Sequence, residues 1–428
     1  MNVLWVVIDT LRADHLGCYG YFRNTSPTID RLAAEGVRFS DFRASAIATG
    51  PGFTSLFTGR SAISHGFYLT PWNIPNAPLL DDDIPTLPEL IWDRTRLTTV
   101  ALDNLMNFRA HMKHFVRGFE FYINVTRSSQ WIHHHVIAGD INRRLIEWFK
   151  GHPSEPFFAF VHYWDPHTPY NQPESHRALF RHERGNLSDL RLLRAPDGYD
   201  YVPGWGKADE IFEGDEKHSL DFYDGEIRYV DENLGEVLDC LRALKILDDT
   251  AVVVTSDHGE QLGQHGVYGH ARIYEECAGV PLILWRPGLL PEGKVVEGFA
   301  QHADVAPTIL DLLGLEAHEG MDGASLLPRI RGEAQPPEFI VMEDGMERAL
   351  RRGAWKLMRT KEGEMELYHL ERDPCEVRNR AAEEPEVARQ MEEELAAWVE
   401  SKLAGRPDPM LQSEGTWTCF VGEREKRT

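Results

Sequence analysis

Acidic and histidine side chains follow two of the most apolar runs in the chain. Asp9 comes directly after the uncharged run Val3–Ile8, and Asp257 and His258 follow the run Ala251–Ser256. A carboxylate at the end of a buried strand needs a partner, and a metal ion is a natural one, although a helix N-cap is the alternative for Asp9. Carboxylate and imidazole ligands together suit zinc, manganese or iron. The two runs therefore predict one metal site built by Asp9, Asp257 and His258.

A hydroxyl group stands where a helix is predicted to begin. Thr49 precedes Pro51, which suits a first helical turn, and the apolar residues Phe53, Leu56 and Phe57 follow at helical spacing. Thr49 would then be either a plain N-cap or a nucleophile at the positive end of the helix, where backbone N–H groups can hold an oxyanion. A threonine hydroxyl is a weak nucleophile, and a bound divalent metal can activate it at neutral pH. The metal residues and Thr49 thus support one another.

The elements that must position these residues alternate along most of the chain. Helical patterns, with apolar residues three or four apart, occur at Thr28–Glu35, Ile141–Lys150 and Tyr223–Leu244. Alternation of strands and helices predicts an α/β fold, with a large, mainly parallel sheet sandwiched by helices and ligands bound outside the carboxyl ends of its strands. The predicted strands are Val3–Ile8, Thr98–Leu102, Phe157–His162, Ala251–Ser256 and Pro281–Trp285.

The sequence pattern changes near residue 330. We expect a catalytic domain over residues 1–330 and a smaller C-terminal α+β subdomain over residues 331–428, with a short antiparallel sheet and a closing helix at about Glu386–Leu403. The stretch Gly185–Gly214, rich in Gly, Pro, Asp and Arg, is predicted to be a long loop near the mouth of the site. The short C-terminal strands are expected at Glu338–Met342, Ala354–Met358 and Glu366–Leu370.

Composition limits the partners of the protein. The formal net charge of −23 argues against a nucleic-acid duplex as partner, because no basic surface is available to neutralise its phosphates. It does not exclude a small anionic substrate, since a metal ion outweighs distant surface charge. No apolar stretch reaches the length that crosses a membrane, and no secretion signal is visible. The five cysteines are scattered and odd in number. We expect a cytoplasmic protein with no membrane partner.

Eight stretches, in order over nearly the whole chain, carry recognisable motifs: Asn2–Gly20 (NVLWVVIDTLRADHLGCYG), Ser26–Phe39 (SPTIDRLAAEGVRF), Leu56–Arg60, Trp164–Tyr170 (WDPHTPY), Tyr223–Gly235, Ser256–Pro281, Asp304–Leu313 (DVAPTILDLL) and Leu367–Asn379. With these motifs the chain resembles the sulfatase branch of the alkaline phosphatase superfamily. The resemblance implies that superfamily's fold, a metal held by strand-end residues, and a homo-oligomer as a plausible assembly.

The resemblance also implies roles for individual residues. Asp9, Asp257 and His258 fall on the family's metal ligands, and Thr49 falls on its nucleophile, which also contacts the metal. The family's sulfatases make formylglycine from Cys or Ser in a Cys/Ser-x-Pro-x-Arg motif, whereas this chain reads TGPGF from Thr49 to Phe53. Oxidation of the secondary alcohol of threonine would give a ketone rather than the hydratable aldehyde, and the motif's arginine is replaced by Phe53. We expect no formylglycine.

Other departures from the family pattern concern the metal. Thr10 stands where typical sulfatases have a second Asp, His258 where they often have Asn, and His270 where they have Lys. Nitrogen ligands favour a divalent transition metal such as manganese or zinc. Two-metal phosphoesterases of the superfamily have a second site, for which Asp165, His167 and His270 are the candidates here. The alternative is one ion, with Asp165 capping a loop and the two histidines contacting the substrate directly.

The predicted reaction is a double displacement on a phosphate-type ester, a phosphodiester or phosphonate monoester. Thr49 attacks phosphorus to form a phospho-threonine intermediate, while His167 or His270, or a metal that they hold, stabilises the leaving oxygen. Asn104, just after a predicted strand, is a candidate contact for substrate oxygens, with loop capping as its alternative. Two rival functions stay open: a hydrolase of sulfate esters with an unmodified nucleophile, and a catalytically inactive binding homologue.

Overall fold

The structure, a computed structural model, describes residues 1–68, 80–103, 110–125, 136–180 and 220–412. Two predictions, the candidate substrate contact Asn104 and the loop Gly185–Gly214, lie outside these residues.

Ten strands form the sheet structure of the longer, N-terminal part of the chain: β1 Asn2–Ile8, β2 Val37–Arg43, β3 Thr98–Leu102, β4 Phe121–Ile123, β5 Phe157–Tyr163, β6 Thr250–Thr255, β7 Gln261–Leu262, β8 Tyr268–Gly269, β9 Leu282–Trp285 and β10 Lys294–Gln301. Eight of them form one sheet in the order β10-β2-β9-β6-β1-β5-β3-β4, and β7 pairs with β8 in a separate hairpin. Only β9 runs antiparallel to its neighbours, β2 and β6. The prediction of a mainly parallel sheet is therefore confirmed.

Helices cover both faces of this sheet, as the alternating pattern predicts. The side chains of β1 alternate between two hydrophobic cores. Trp5 and Val7 pack into the core on one face of the sheet, whereas Leu4 and Val6 pack into the core on the opposite face. No described helix is long and apolar enough to cross a membrane. The helices are α1 Pro27–Glu35, α2 Thr49–Thr58, α3 Ala62–His65, α4 Leu87–Arg94, α5 Ala138–Gly151, α6 Glu174–Arg177, α7 Leu220–Ala243, α8 Glu275–Ala278, α9 Val305–Leu312 and α10 Leu327–Arg331.

A second, antiparallel sheet follows, with its strands in sequence order: β11 Phe339–Glu343, β12 Glu347–Arg352, β13 Trp355–Thr360 and β14 Met365–His369. One face of it packs on α11, Pro385–Leu403, through Leu357 and Met391. The other face packs on the segment that precedes α2 and on α8, through Met342 and Ile47. The C-terminal sheet therefore lies against the loops that carry the predicted site. A last short helix, α12, spans Pro409–Gln412.

Candidate active site

The two central strands bring the predicted metal residues together. β1 and β6 are parallel neighbours in which Val7 pairs with Thr255. Asp9 and Asp257 each follow these partners by two residues, so both side chains return to the same face at the carboxyl edge of the sheet. One ligand atom from each of Asp9, Asp257 and His258 lies within 4.8 Å of the others. The register of these two strands thus brings the predicted metal residues together.

The carboxylates of this cluster are buried and accept few hydrogen bonds from the described residues. Asp257 Oδ1 accepts hydrogen bonds from the backbone N–H groups of Thr10, at 3.2 Å, and His258, at 2.9 Å. Within the described residues, Asp257 Oδ2 and both carboxylate oxygens of Asp9 accept no hydrogen bond. Burial, and next the negative charge of Asp9, hold the pKa of Asp257 well above its usual value. Buried oxygens without donors are what a divalent cation would satisfy.

His258 presents a lone pair to the site. Its Nδ1 lies 2.9 Å from the carbonyl oxygen of Gly259, so the proton of the ring sits on Nδ1 and Nε2 is unprotonated. Burial, followed by the charge of His270, lowers the pKa of His258 well below its usual value. The imidazole is therefore neutral, which is the form that binds metals. Nε2 faces the hydroxyl of Thr49 at 3.2 Å.

Thr49 is the first residue of α2, and it is not the N-cap. Ala48 occupies the cap position with an extended backbone, so the N-cap interpretation of Thr49 is wrong. Because its hydroxyl does not cap the helix, it can turn towards His258. The start of α2 comes this close because Gly52 has no side chain: a Cβ there would lie 2.9 Å from the carbonyl oxygen of Asp257.

Two further histidines extend the site. The ring of His270 lies 4.2 Å from that of His258, between ring centroids, and its Nδ1 lies 3.1 Å from the carbonyl oxygen of Ile47. The ring of His167 lies 5.8 Å from that of His270 and 4.2 Å from that of Trp164. Both histidines are half-buried. The structure therefore brings His167 and His270 beside the metal cluster, where a substrate could reach them.

Asp165 does not join these histidines. In the part of the chain that the structure describes, the cluster of Asp9, Asp257 and His258 is the only group of three or more such side chains with metal-ligand spacing. The Asp165 carboxyl instead lies beside that of Glu226 on α7. Burial raises the pKa of both carboxyls. The second metal site that the sequence suggested is not assembled.

His162 and Asp103 were missed by the sequence prediction. His162 Nδ1 lies 2.8 Å from Asp103 Oδ1, and His162 Nε2 lies 3.5 Å from Asp9 Oδ2. Burial opposes the charged form of His162, but the contacts with Asp103 and Asp9 outweigh it and raise the pKa of the imidazole to about 9. The available signal was a histidine within the otherwise apolar run of β5.

Comparison with known families identifies the family of this chain. The sequence model described as Sulfatase matches residues 1–315, and the model described as N-sulphoglucosamine sulphohydrolase, C-terminal, matches residues 263–401. The chain belongs to the sulfatase family. It is therefore a hydrolase acting on sulfate or phosphate esters, in a superfamily whose members use a divalent metal. The oxygens of Asp9 and Asp257 that accept no hydrogen bond from the described residues, together with the neutral His258, fit such an ion.

Individual relatives of this family member differ in the ester that their names specify. The chain is 28% identical over 413 residues to the multifunctional alkaline phosphatase superfamily protein PehA of Trinickia caryophylli, covering 79% of this chain and 78% of that protein. It is 24% identical over 414 residues to an N-acetylglucosamine-6-O-sulfatase of Bacteroides thetaiotaomicron, covering 78% and 72%. The structure of the phosphonate monoester hydrolase of Agrobacterium radiobacter has a TM-score of 0.71 at 22% identity, covering 99% of each chain, which shows the shared fold.

Proposed function

We propose that this sulfatase-family protein hydrolyses phosphate-type esters, phosphodiesters or phosphonate monoesters, through a covalent intermediate on Thr49. The observation that carries the proposal is the position of the Thr49 hydroxyl, 3.2 Å from His258 Nε2 at the start of α2. A threonine there cannot become formylglycine. Phe53 supports the same conclusion, because the fully buried ring at the position of the motif's arginine packs on His162.

Asp9, Asp257 and His258 would hold one divalent transition metal, manganese or zinc. When bound, such an ion supplies positive charge that lowers the pKa of a nearby hydroxyl and offsets the negative charge of the transferring group. One ion is proposed rather than two, because Asp165, His167 and His270 do not form a group with metal-ligand spacing within the described residues. The mixed oxygen and nitrogen donor set favours a transition metal over calcium.

Residues of the chain carry out the other steps of the proposed reaction. The Thr49 hydroxyl loses its proton to solvent and its oxygen attacks phosphorus in line, so that the bond from phosphorus to the leaving oxygen breaks as the new bond forms. Backbone N–H groups at the start of α2 face the anionic oxygens. Nδ1 of His167 and Nδ1 of His270 face the carbonyl oxygens of Thr168 and Ile47, so each protonated ring donates through Nε2 to the substrate or to the leaving oxygen. Water then hydrolyses the threonine ester.

A diester or phosphonate monoester suits the charge of this site better than a phosphate monoester. Arg12, the nearest arginine in sequence to Asp9, is buried and forms an ion pair with Asp14 through two nitrogens. Its remaining nitrogen donates to the carbonyl oxygen of Glu260. An arginine held in this way does not bind the second negative charge of a monoester dianion.

Sulfate-ester hydrolysis with an unmodified threonine is the second candidate, which the family and the named sulfatase relative favour. The test is turnover by the purified chain after loading with manganese or zinc. We expect kcat/KM for a bis-aryl phosphate or an aryl phosphonate monoester to exceed that for the matching aryl sulfate by about tenfold or more. A preference for the sulfate would contradict the proposal. No turnover of any of the three after metal loading would indicate the inactive binding homologue.

A further inference from the structure

A row of polar side chains in contact with one another crosses the sheet at the carboxyl ends of four neighbouring strands. From the edge of the sheet to its centre, it consists of Tyr122 on β4, Asp103 after β3, His162 on β5 and Asp9 after β1. We propose that this strand-end row positions the Asp9 carboxylate for the metal, with Asp103 and His162 as positioning residues. The inference rests on the proposed metal site and adds residues to which the family resemblance gave no role.

Strand register places the row on one face of the sheet. His162 pairs with Val7 in β1, and Asp9, two residues later, returns to the same face. The register of β3 with β5 puts Asp103, the residue after β3, beside His162. β4 pairs with β3 so that Tyr122 points to the same side as Asp103. Four parallel strands therefore bring four polar side chains into line, perpendicular to their own direction.

The contacts along the row are continuous. The Tyr122 hydroxyl donates to Asp103 Oδ2, and Asp103 Oδ1 accepts from His162 Nδ1 at 2.8 Å. His162 Nε2 then lies 3.5 Å from Asp9 Oδ2. His162 and Asp9 are fully buried, and the ring of Phe53 packs edge-on against His162 at 4.7 Å between centroids. The imidazole is thus held at one nitrogen and along its ring, with its other nitrogen directed at the metal ligand.

The row acts through Asp9 and does not add a ligand. Within the described residues, His162 is not part of the group that has metal-ligand spacing. His162 Nε2 lies 3.5 Å from one oxygen of Asp9, which leaves the other oxygen for the ion and limits how far the carboxylate can rotate away. Asp103 fixes the direction in which His162 points, which is the role of a carboxylate behind a site histidine.

The experiment measures the dissociation constant for zinc or manganese at one pH, by competition with a chromophoric chelator. We expect Asp103→Ala to weaken metal binding about tenfold or more, in the range seen when outer-shell partners of metal sites are removed. Asp103→Asn should retain near wild-type affinity, because its amide oxygen still accepts from His162 Nδ1. The matched control is Asp231→Ala, which removes a buried carboxylate that accepts from the backbone of α1, at Thr28 and Ile29, away from the site.

The outcomes distinguish a failure of the proposed positioning role from a failure of the proposed metal site. Wild-type affinity in Asp103→Ala, or an equal loss in Asp231→Ala, would overturn the positioning role while leaving the metal site intact. A wild-type chain that binds neither metal would instead overturn the proposed function. If Asp103→Ala does not fold, Tyr122→Phe provides the answer, because it removes only the outermost hydroxyl of the row. We expect this variant to bind metal a few-fold more weakly, and an unchanged dissociation constant would count against the row.

Discussion

Replacement of Thr49 by alanine is expected to lower kcat/KM for a bis-aryl phosphate by roughly three orders of magnitude or more, as the loss of a covalent nucleophile does elsewhere. The substitution removes the oxygen that faces His258 at 3.2 Å. It leaves the helix start intact, because Ala48 and not Thr49 is the N-cap of α2. Steady-state kinetics after metal loading, with metal content measured on the same samples, provides the comparison.

Thr49→Ser is the matched control for this variant. It keeps the hydroxyl oxygen and removes only a methyl group, so we expect it to retain most of the activity that Thr49→Ala loses. Full activity of the alanine variant, with metal bound, would show that another group or water attacks the substrate. Equal losses in both variants would mean that the residue matters for packing and not for chemistry.

The second large effect is expected at the metal cluster. Elemental analysis should find about one manganese or zinc ion per wild-type chain, consistent with a single three-residue cluster in the described residues. Asp257→Asn should lose nearly all of this metal, because it removes the charge of a buried carboxylate whose Oδ2 has no donor in the described structure. Turnover of phosphate esters should fall together with the metal content.

The variant Asp165→Asn distinguishes a site with one metal ion from a site with two. Asp165 is also a buried aspartate just after a central strand, but it belongs to no group with metal-ligand spacing within the described residues. We therefore expect Asp165→Asn to bind as much metal as the wild type. Two ions per wild-type chain, or a halved metal content in this variant, would restore the two-metal alternative in which Asp165, His167 and His270 hold the second ion.

The sequence predicted the centre of the fold because its strands are uniformly apolar. β1, β5 and β6 are buried along their whole length, and the predicted runs agree with them to within one residue at each end. β2 and β12 were missed, since both interrupt their apolar pattern with charged residues. In β12 these charges are buried in ion pairs, such as that of Glu347 with Arg272, and such partners are distant in sequence.

The site residues could be predicted where they lie at the end of a strand or at the start of a helix. Asp9, Asp257 and His258 end apolar strands, and Thr49 begins a helix, so their positions in the sequence already indicate a shared edge of the sheet. The role of Asp103 could not be predicted, because it depends on which strands are neighbours and in which register. The surroundings of Asp165 could not be predicted for the same reason, since the neighbouring Glu226 lies on α7.

The stereochemistry at phosphorus shows directly whether a covalent intermediate forms on Thr49. Hydrolysis of a chiral phosphorothioate diester in isotopically labelled water, with the configuration of the product determined, reports the number of displacements. Attack by Thr49 followed by attack of water inverts phosphorus twice, so we expect net retention of configuration. Net inversion would mean that water attacks the substrate directly and would contradict the nucleophilic role of Thr49.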